Sequence, residues 1–484
     1  MSAFLSTTAV SLGASSLLLL LFVRKYLQSN AHPPYPRGPR PLPLIGNIFD
    51  MPTERFVLPY SKLGEKYGPI TWLVVPGRTI IVLNTYDSMY EILERRGSNY
   101  TDRPRAAMIQ DLVGMDFITP LRQGDPTWRL HRKFLRPALS LDTIKRNYSD
   151  IFLASAHRFI ERLVREPENF RFGLKRSLGE TISELAYGAC NDGQGNDYVA
   201  KQQELLVYST LASAGYLVDL FPSLKHVPSW FPGAQFQRDA KKWRQHMTDL
   251  RHLMIEGVQK RMAANEGRSC YVVNMLEDLQ KVKDETGADI TEEIQAVYDS
   301  GFSFYQGKLA LFISFLLAMT LAPAAQAQAR KEIDKVVGTG RFPEFKDQGD
   351  LPYTHAVVLE SLRWNPPAPF IIPHASREDD TYNGYFIPKG TMVIPNVWQI
   401  SRDPSVYEDP TTFNPDRFIN NPNILDPRDF VFGFGRRACP GSYLAYQIMW
   451  MFVVSTLWAF ELEKPEGEPP LDKDTDRFDF GFLK

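Results

Sequence analysis

The chain has 484 residues, 44% of them hydrophobic, a length that suits either several domains or one large enzyme domain. Its formal net charge is −1 with no long block of one sign, so a nucleic-acid partner has no support. Three cysteines, Cys190, Cys270 and Cys439, form an odd, sparse set unlike a disulfide framework and point to a reducing compartment.

In chain order, the first feature is apolar. Ala3 to Val23 carries no charge and is about long enough to span a bilayer core. Arg24 and Lys25 follow and no basic residue precedes, which orients the remainder of the chain toward the cytoplasm. A cleaved signal peptide is the competing reading, with Ser29-Asn30-Ala31 as its weak cleavage site. The missing basic leader favours a retained anchor over residues 1–25. Residues 26–47, dense in proline from Pro33 to Pro43, read as a stiff extended tether, and 48–484 as the folded domain. Within it, Tyr60 to Tyr67 reads as helix, Ile70 to Val75 and Thr79 to Leu83 as a hairpin about Pro76-Gly77-Arg78, and Tyr86 to Arg95 as helix again.

Trp128-Arg129-Leu130-His131-Arg132 sets Trp128 and Arg132 four apart on one helix face, where both can donate to one acid. Taken alone, a solvated basic face explains the pattern as well. Residues 145–285 read as mostly helical, broken at Pro222 to Pro232, with no chemical motif. Thr291, Glu292 and Glu293 start a helix whose apolar pattern continues to Ala322, about 30 residues or roughly 45 Å. Glu360 and Arg363 lie at i, i+3 on a helix that stops before Pro366-Pro367, and by themselves suggest a surface ion pair.

The loop Phe432-Gly433-Phe434-Gly435-Arg436-Arg437-Ala438-Cys439-Pro440-Gly441 carries the chemistry. It leads into an apolar helix from Tyr443 to Leu462. Pro440 suits a first helical position, which puts Cys439 at the cap, facing unpaired N–H groups that lower a thiol pKa. Gly435 and Gly441 let the backbone turn tightly and a flat group approach closely, Phe432 can cover the sulfur, and Arg437 offers a cation. A buried structural cysteine is the plain alternative.

At these residues the chain resembles the cytochrome P450 family, whose loop reads Phe-x-x-Gly-x-Arg-x-Cys-x-Gly; Phe432, Gly435, Arg437, Cys439 and Gly441 fill every fixed position. The resemblance implies a mainly α domain with a small β subdomain, and haem b (iron protoporphyrin IX) held through the Cys439 thiolate. It further implies that Arg437, Trp128, Arg132 and His374 contact the haem propionates. Glu360, Arg363 and Arg417 of Pro415-Asp416-Arg417-Phe418 would then form a buried charged network. The expected function is a monooxygenase anchored in the endoplasmic reticulum membrane and facing the cytoplasm. Electrons would come from NADPH-cytochrome P450 reductase, with cytochrome b5 as an optional second donor and Arg122, Lys133 and Arg136 on the docking surface. The wording of the sequence is similar to fungal members of secondary metabolism.

One segment departs from the family. Its acid and alcohol box over the haem falls, by counting, on Ser303 to Lys308, so the acid becomes Gln306 and the alcohol Gly307. A three-residue slip would bring Ser300 to Ser303 there instead. The departure keeps open a haem-thiolate isomerase or dehydratase needing no electrons, and a haem-binding protein without catalysis.

Overall fold

The computed structural model describes residues 32–52, 57–193, 195–213, 215–266, 269–305 and 310–464. The anchor expected over residues 1–25 lies outside these, as do Gln306 and Gly307.

The sequence folds mainly into helices, with one four-stranded and one two-stranded sheet among the described residues. Helix α1 (Val57–Tyr67) precedes strands β1 (Ile70–Val75) and β2 (Arg78–Leu83), paired antiparallel with Val75 opposite Arg78. Helical turns over Tyr86–Met89 and Tyr90–Arg95, as the sequence expects, and over Ala107–Leu112 come next, and then α2 (Pro126–Ala138), α3 (Ser149–Arg165), α4 (Phe170–Tyr187), α5 (Tyr198–Ala212), α6 (Gln235–Ala263) and α7 (Tyr271–Thr286). Helix α8 (Thr291–Tyr305) and α9 (Ala310–Leu321) flank residues 306–309 of the long helix expected from the sequence. Helices α10 (Pro323–Val336) and α11 (Pro352–Trp364) follow, then β3 (His374–Ala375), β4 (Asp380–Tyr382), β5 (Tyr385–Ile387) and β6 (Met392–Pro395), and finally α12 (Ser442–Ala459).

The four-stranded sheet is not a local unit. Its order is β1-β2-β6-β3, with β6 parallel to β2, so strands from the last quarter of the chain complete a hairpin near its start. Leu73, Ile81, Val82 and Leu83 are fully buried in it, each worth about 1.5–3 kcal/mol of transfer free energy. The proline-rich tether is extended, but it is docked. Trp72 donates to the Arg37 carbonyl at 2.9 Å, Phe386 to that of Pro34 at 2.9 Å, and Tyr35 stacks on Trp72 with centroids 4.5 Å apart.

Three helices position the site, and each has a readable reason to start where it does. Asp125 accepts the Trp128 N–H at 2.7 Å and Pro126 occupies the first turn, so α2 begins with its Trp128, His131, Phe134, Leu135 face turned inward. The N–H groups of Tyr353 and Thr354 at the start of α11 are both met at 2.8 Å by the Glu332 carboxylate of α10. Helix α12 is apolar on every side because it is buried on every side. Among the described residues no single helix is long and apolar enough to cross a membrane.

Candidate cofactor site

Cys439 sits in a tight loop whose geometry is set by backbone contacts. Its N–H donates to the Phe432 carbonyl at 2.7 Å, closing the loop, while Phe432 is half-buried against the core. Gly435 adopts φ +56°, and a Cβ there would lie 2.4 Å from the Leu93 carbonyl oxygen. Its N–H donates to Glu94 Oε2 at 2.5 Å. The tight turn expected at Gly435 is thus present, and the space a side chain would take there is filled by the neighbouring backbone. Gly441 differs, since a Cβ there would meet Cys439 Sγ and Leu139 only at an ordinary 4.0 Å, so nothing in the chain itself requires glycine.

The helix-cap reading of the cysteine also needs correction. Gly441 is the residue before α12, so Cys439 lies two positions further out, beyond the cap. The Gly441 N–H and the Arg132 charge do favour a thiolate, yet burial outweighs both and pushes the thiol pKa up. The side chain is nonetheless solvent-accessible. A sulfur that is accessible and yet closely surrounded lies in a recess, and a bound metal is what would make it an anion there.

Cations converge on the same loop. Arg437 donates to the carbonyls of Thr101 at 2.6 Å, Arg122 at 2.7 Å and Thr119 at 3.3 Å, and its guanidinium lies 4.2 Å from the Trp128 ring centre. Arg132 donates to the Ala438 carbonyl at 2.7 Å. His374 is buried on β3, with Nδ1 2.7 Å from the Tyr100 carbonyl. Arg103, which no motif singled out, is also buried and donates to the carbonyls of Pro120, Ile372 and Pro373 at 2.9, 2.7 and 2.9 Å.

Among the described residues Arg103, Arg132 and Arg437 share in no ion pair. Burial lowers the Arg437 pKa to about 10, against Asp102 and with Arg132, and lowers those of Arg103 and His374 well below their usual values, where each also feels Arg437. Burying such charges without a counter-charge is costly. The group that fits is a dianion with a flat body beside the sulfur, which is the shape and charge of haem. Trp128, Arg132, His374 and Arg437 are thus brought together as the sequence expected, and Arg103 joins them.

The network expected from Glu360 is also formed. Arg363 grips the Glu360 carboxylate through two bonds of 2.7 Å, Arg417 Nε reaches it at 3.2 Å, and the Asn414 N–H at 2.9 Å. Over α8, the slipped register is not supported by Ser300 and Gly301. Ser300 bonds Tyr271 at 2.7 Å, and a Cβ on Gly301 would meet Val272 at 2.7 Å, so both face α7. Asp299 is held by Arg251 and Gln295.

The family model for cytochrome P450 matches residues 36–484. A cytochrome P450 monooxygenase of Armillaria gallica is 33% identical over 463 residues, covering 94% of this chain and 90% of that protein. The monooxygenase claR of Ampulloclitocybe clavipes is 34% identical, covering 95% and 85%, and monooxygenase 208 of Postia placenta 35% identical, covering 93% and 88%. With a thiol recess, an open set of buried cations and a match along nearly its whole length, the chain belongs to the cytochrome P450 family.

Proposed function

We propose that this haem-thiolate monooxygenase acts on a small organic substrate of fungal secondary metabolism; the Cys439 thiolate would hold the haem iron, and Arg103, Arg132, Arg437, Trp128 and His374 would hold the propionates. The observation that carries the assignment is a set of buried and half-buried arginines that, among the described residues, have no acidic partner, beside the exposed Cys439. Haem bound through cysteine thiolate supplies oxygen activation and insertion of one oxygen atom into a substrate. The chain's residues hold, orient and insulate that group. Arg132 ties α2 to the residue before the thiol, and Arg437 ties the loop to three carbonyls, so the recess is braced from both sides.

Electrons from an NADPH-dependent reductase are supported by an exposed stripe on α2, Arg129, Lys133 and Arg136, complementary to an acidic donor. Arg122 is less suited than the sequence suggested, because it pairs with Asp125 at 3.1 Å. Attachment to the endoplasmic reticulum membrane through residues 1–25, with the globule in the cytoplasm, is supported by apolar side chains around the β1–β2 turn. Leu44 is 98% exposed, Phe49 80% and Trp230 79%. Asn47 bonds Val74 and Arg78 bonds the Asp219 carbonyl, so the segments bearing these residues approach the same hairpin.

The test is the reduced carbon monoxide spectrum of the haem-loaded protein. The red-shifted Soret band of thiolate ligation is expected, and it should vanish in Cys439→Ala. Retention of the band in that variant would defeat the assignment.

A further inference from the structure

Thr119 is a junction. Its N–H and hydroxyl lie 2.9 and 3.1 Å from Ser303 Oγ on α8, its hydroxyl 3.0 Å from His131 Nδ1 on α2, and its carbonyl accepts from Arg437. Ser303 spends its own proton on the Asp299 carbonyl at 2.8 Å and accepts from the Thr119 N–H; in the arrangement that serves a relay, the Thr119 proton points to Ser303 and Thr119 accepts from His131. That places hydrogen on Nδ1 and leaves Nε2 a bare acceptor.

Nε2 has no hydrogen-bond partner among the described residues, and His131 is 0% exposed. Such an orphan is costly, so it asks for a reason. His131 shares its helix face with Trp128 and Arg132, at i+3 and i+4 from the tryptophan. Burial holds the ring neutral, its pKa lowered to about 4. The charges that act on it are Arg122 and Asp125, a pair at the partly exposed start of α2. One nitrogen of the ring therefore meets a row of two hydroxyls that ends on α8, and the other is a buried, unpartnered atom on the helix that Asp125 caps.

We propose that His131, Thr119 and Ser303 form a proton path from the Arg122–Asp125 edge to the cofactor side of α8. The proposal rests on the monooxygenase reading, in which dioxygen takes up two electrons from the reductase and two protons as one atom enters the substrate and the other leaves as water. A proton received at Nε2 releases the one on Nδ1 to Thr119 Oγ1, Thr119 passes its own to Ser303 Oγ, and Ser303 gives its proton to the acceptor at the site. One proton enters and one leaves, and no bond between heavy atoms changes. Rotation of the two hydroxyls and return of the ring proton reset the path. This chain needs one, because Gly307 has no donor and Gln306 cannot cycle a proton as an acid does.

The experiment uses the full-length, haem-loaded protein with NADPH and its reductase, and no added substrate. His131→Gln keeps a donor for Thr119 but cannot relay, and Thr119→Val removes the hydroxyl while keeping its shape. Both are expected to keep the thiolate band and to lower the ratio of water to peroxide formed from consumed oxygen by about 10²-fold. Independently of turnover, ¹⁵N spectra of histidine-labelled carbon monoxide complex should show His131 with hydrogen on Nδ1, and lose that signature in Thr119→Val. An unchanged ratio in both variants, hydrogen on Nε2 in the parent, or loss of the thiolate band in both variants would overturn the path and leave a structural brace. Absence of the thiolate band from the parent would instead sink the function on which the path rests.

Discussion

Among the described residues, the charged clusters around Glu360 and around Cys439 are built on opposite principles. Around Glu360 the charges centre on a carboxylate: two arginines share it, their remaining donors go to the carbonyls of Ser401, Pro410, Glu408 and Thr412, and a third arginine, Arg402, lies over the Trp398 ring beside them. Around Cys439 the cations bond backbone carbonyls alone. The aspartates that act on Arg437 are already bound, Asp102 to Arg377 and Asp125 to Arg122. A cluster centred on a carboxylate holds its arginines without a ligand, whereas cations that bond carbonyls alone still lack a counter-charge. The first is a structural lock and the second is a socket.

Breaking the lock should cost most. Glu360→Ala leaves two arginines buried without a partner and should lose about 3–5 kcal/mol, equally in the haem-free and haem-loaded protein, in denaturant titrations. The socket should respond unequally. Arg103→Met and Arg437→Met are expected to cost about 1.5–3 kcal/mol more in the loaded protein than in the haem-free one, with faster haem transfer to apomyoglobin. Equal losses in both states would erase the distinction between the clusters.

The loop glycines sharpen it further. Gly435→Ala forces a left-handed alanine against the Leu93 carbonyl and should destabilise both states by about 1–3 kcal/mol. Gly441→Ala, with contacts no closer than 4.0 Å, should leave the haem-free protein intact and weaken haem retention alone.

The smallest effect is in pH. Because burial, with Arg103, holds His374 well below its ordinary 6.5, the unfolded chain binds a proton there that the native chain does not. Stability therefore falls as pH drops below 6.5, by at most about 1.4 kcal/mol per unit for this one group. A bound dianion raises the His374 pKa, so the stability gap between loaded and haem-free protein should widen toward acid. His374→Gln should flatten that widening.

How much of this was legible in the sequence depended on how local each feature is. The loop residues, the Trp128–Arg132 spacing and the Glu360–Arg363 pair were readable because a helix or a tight turn fixes their relation. The cap at Cys439 was misread by two residues, since a proline suits several positions at a helix start. Strands β3 and β6 are only two and four residues long and gain their pairing from β2 and each other, about 300 residues apart in the extreme case. Arg103 carried no local signal; its role comes from Ile372 and Pro373 folding back over it. His131 had a weak signal, three residues from Trp128, that gains meaning only once Thr119 and Ser303 stand beside it.

The central claim is that the cations around Cys439 are the counter-charge of a dianionic cofactor. The most direct measurement is the affinity of the haem-free protein for haem against haem dimethyl ester, which keeps the iron and the ring but removes both negative charges. Affinity about 10²-fold weaker for the ester, with the difference shrinking in Arg103→Met and Arg437→Met, is the predicted result. Equal affinity for the two, with the thiolate band intact in each, would contradict it.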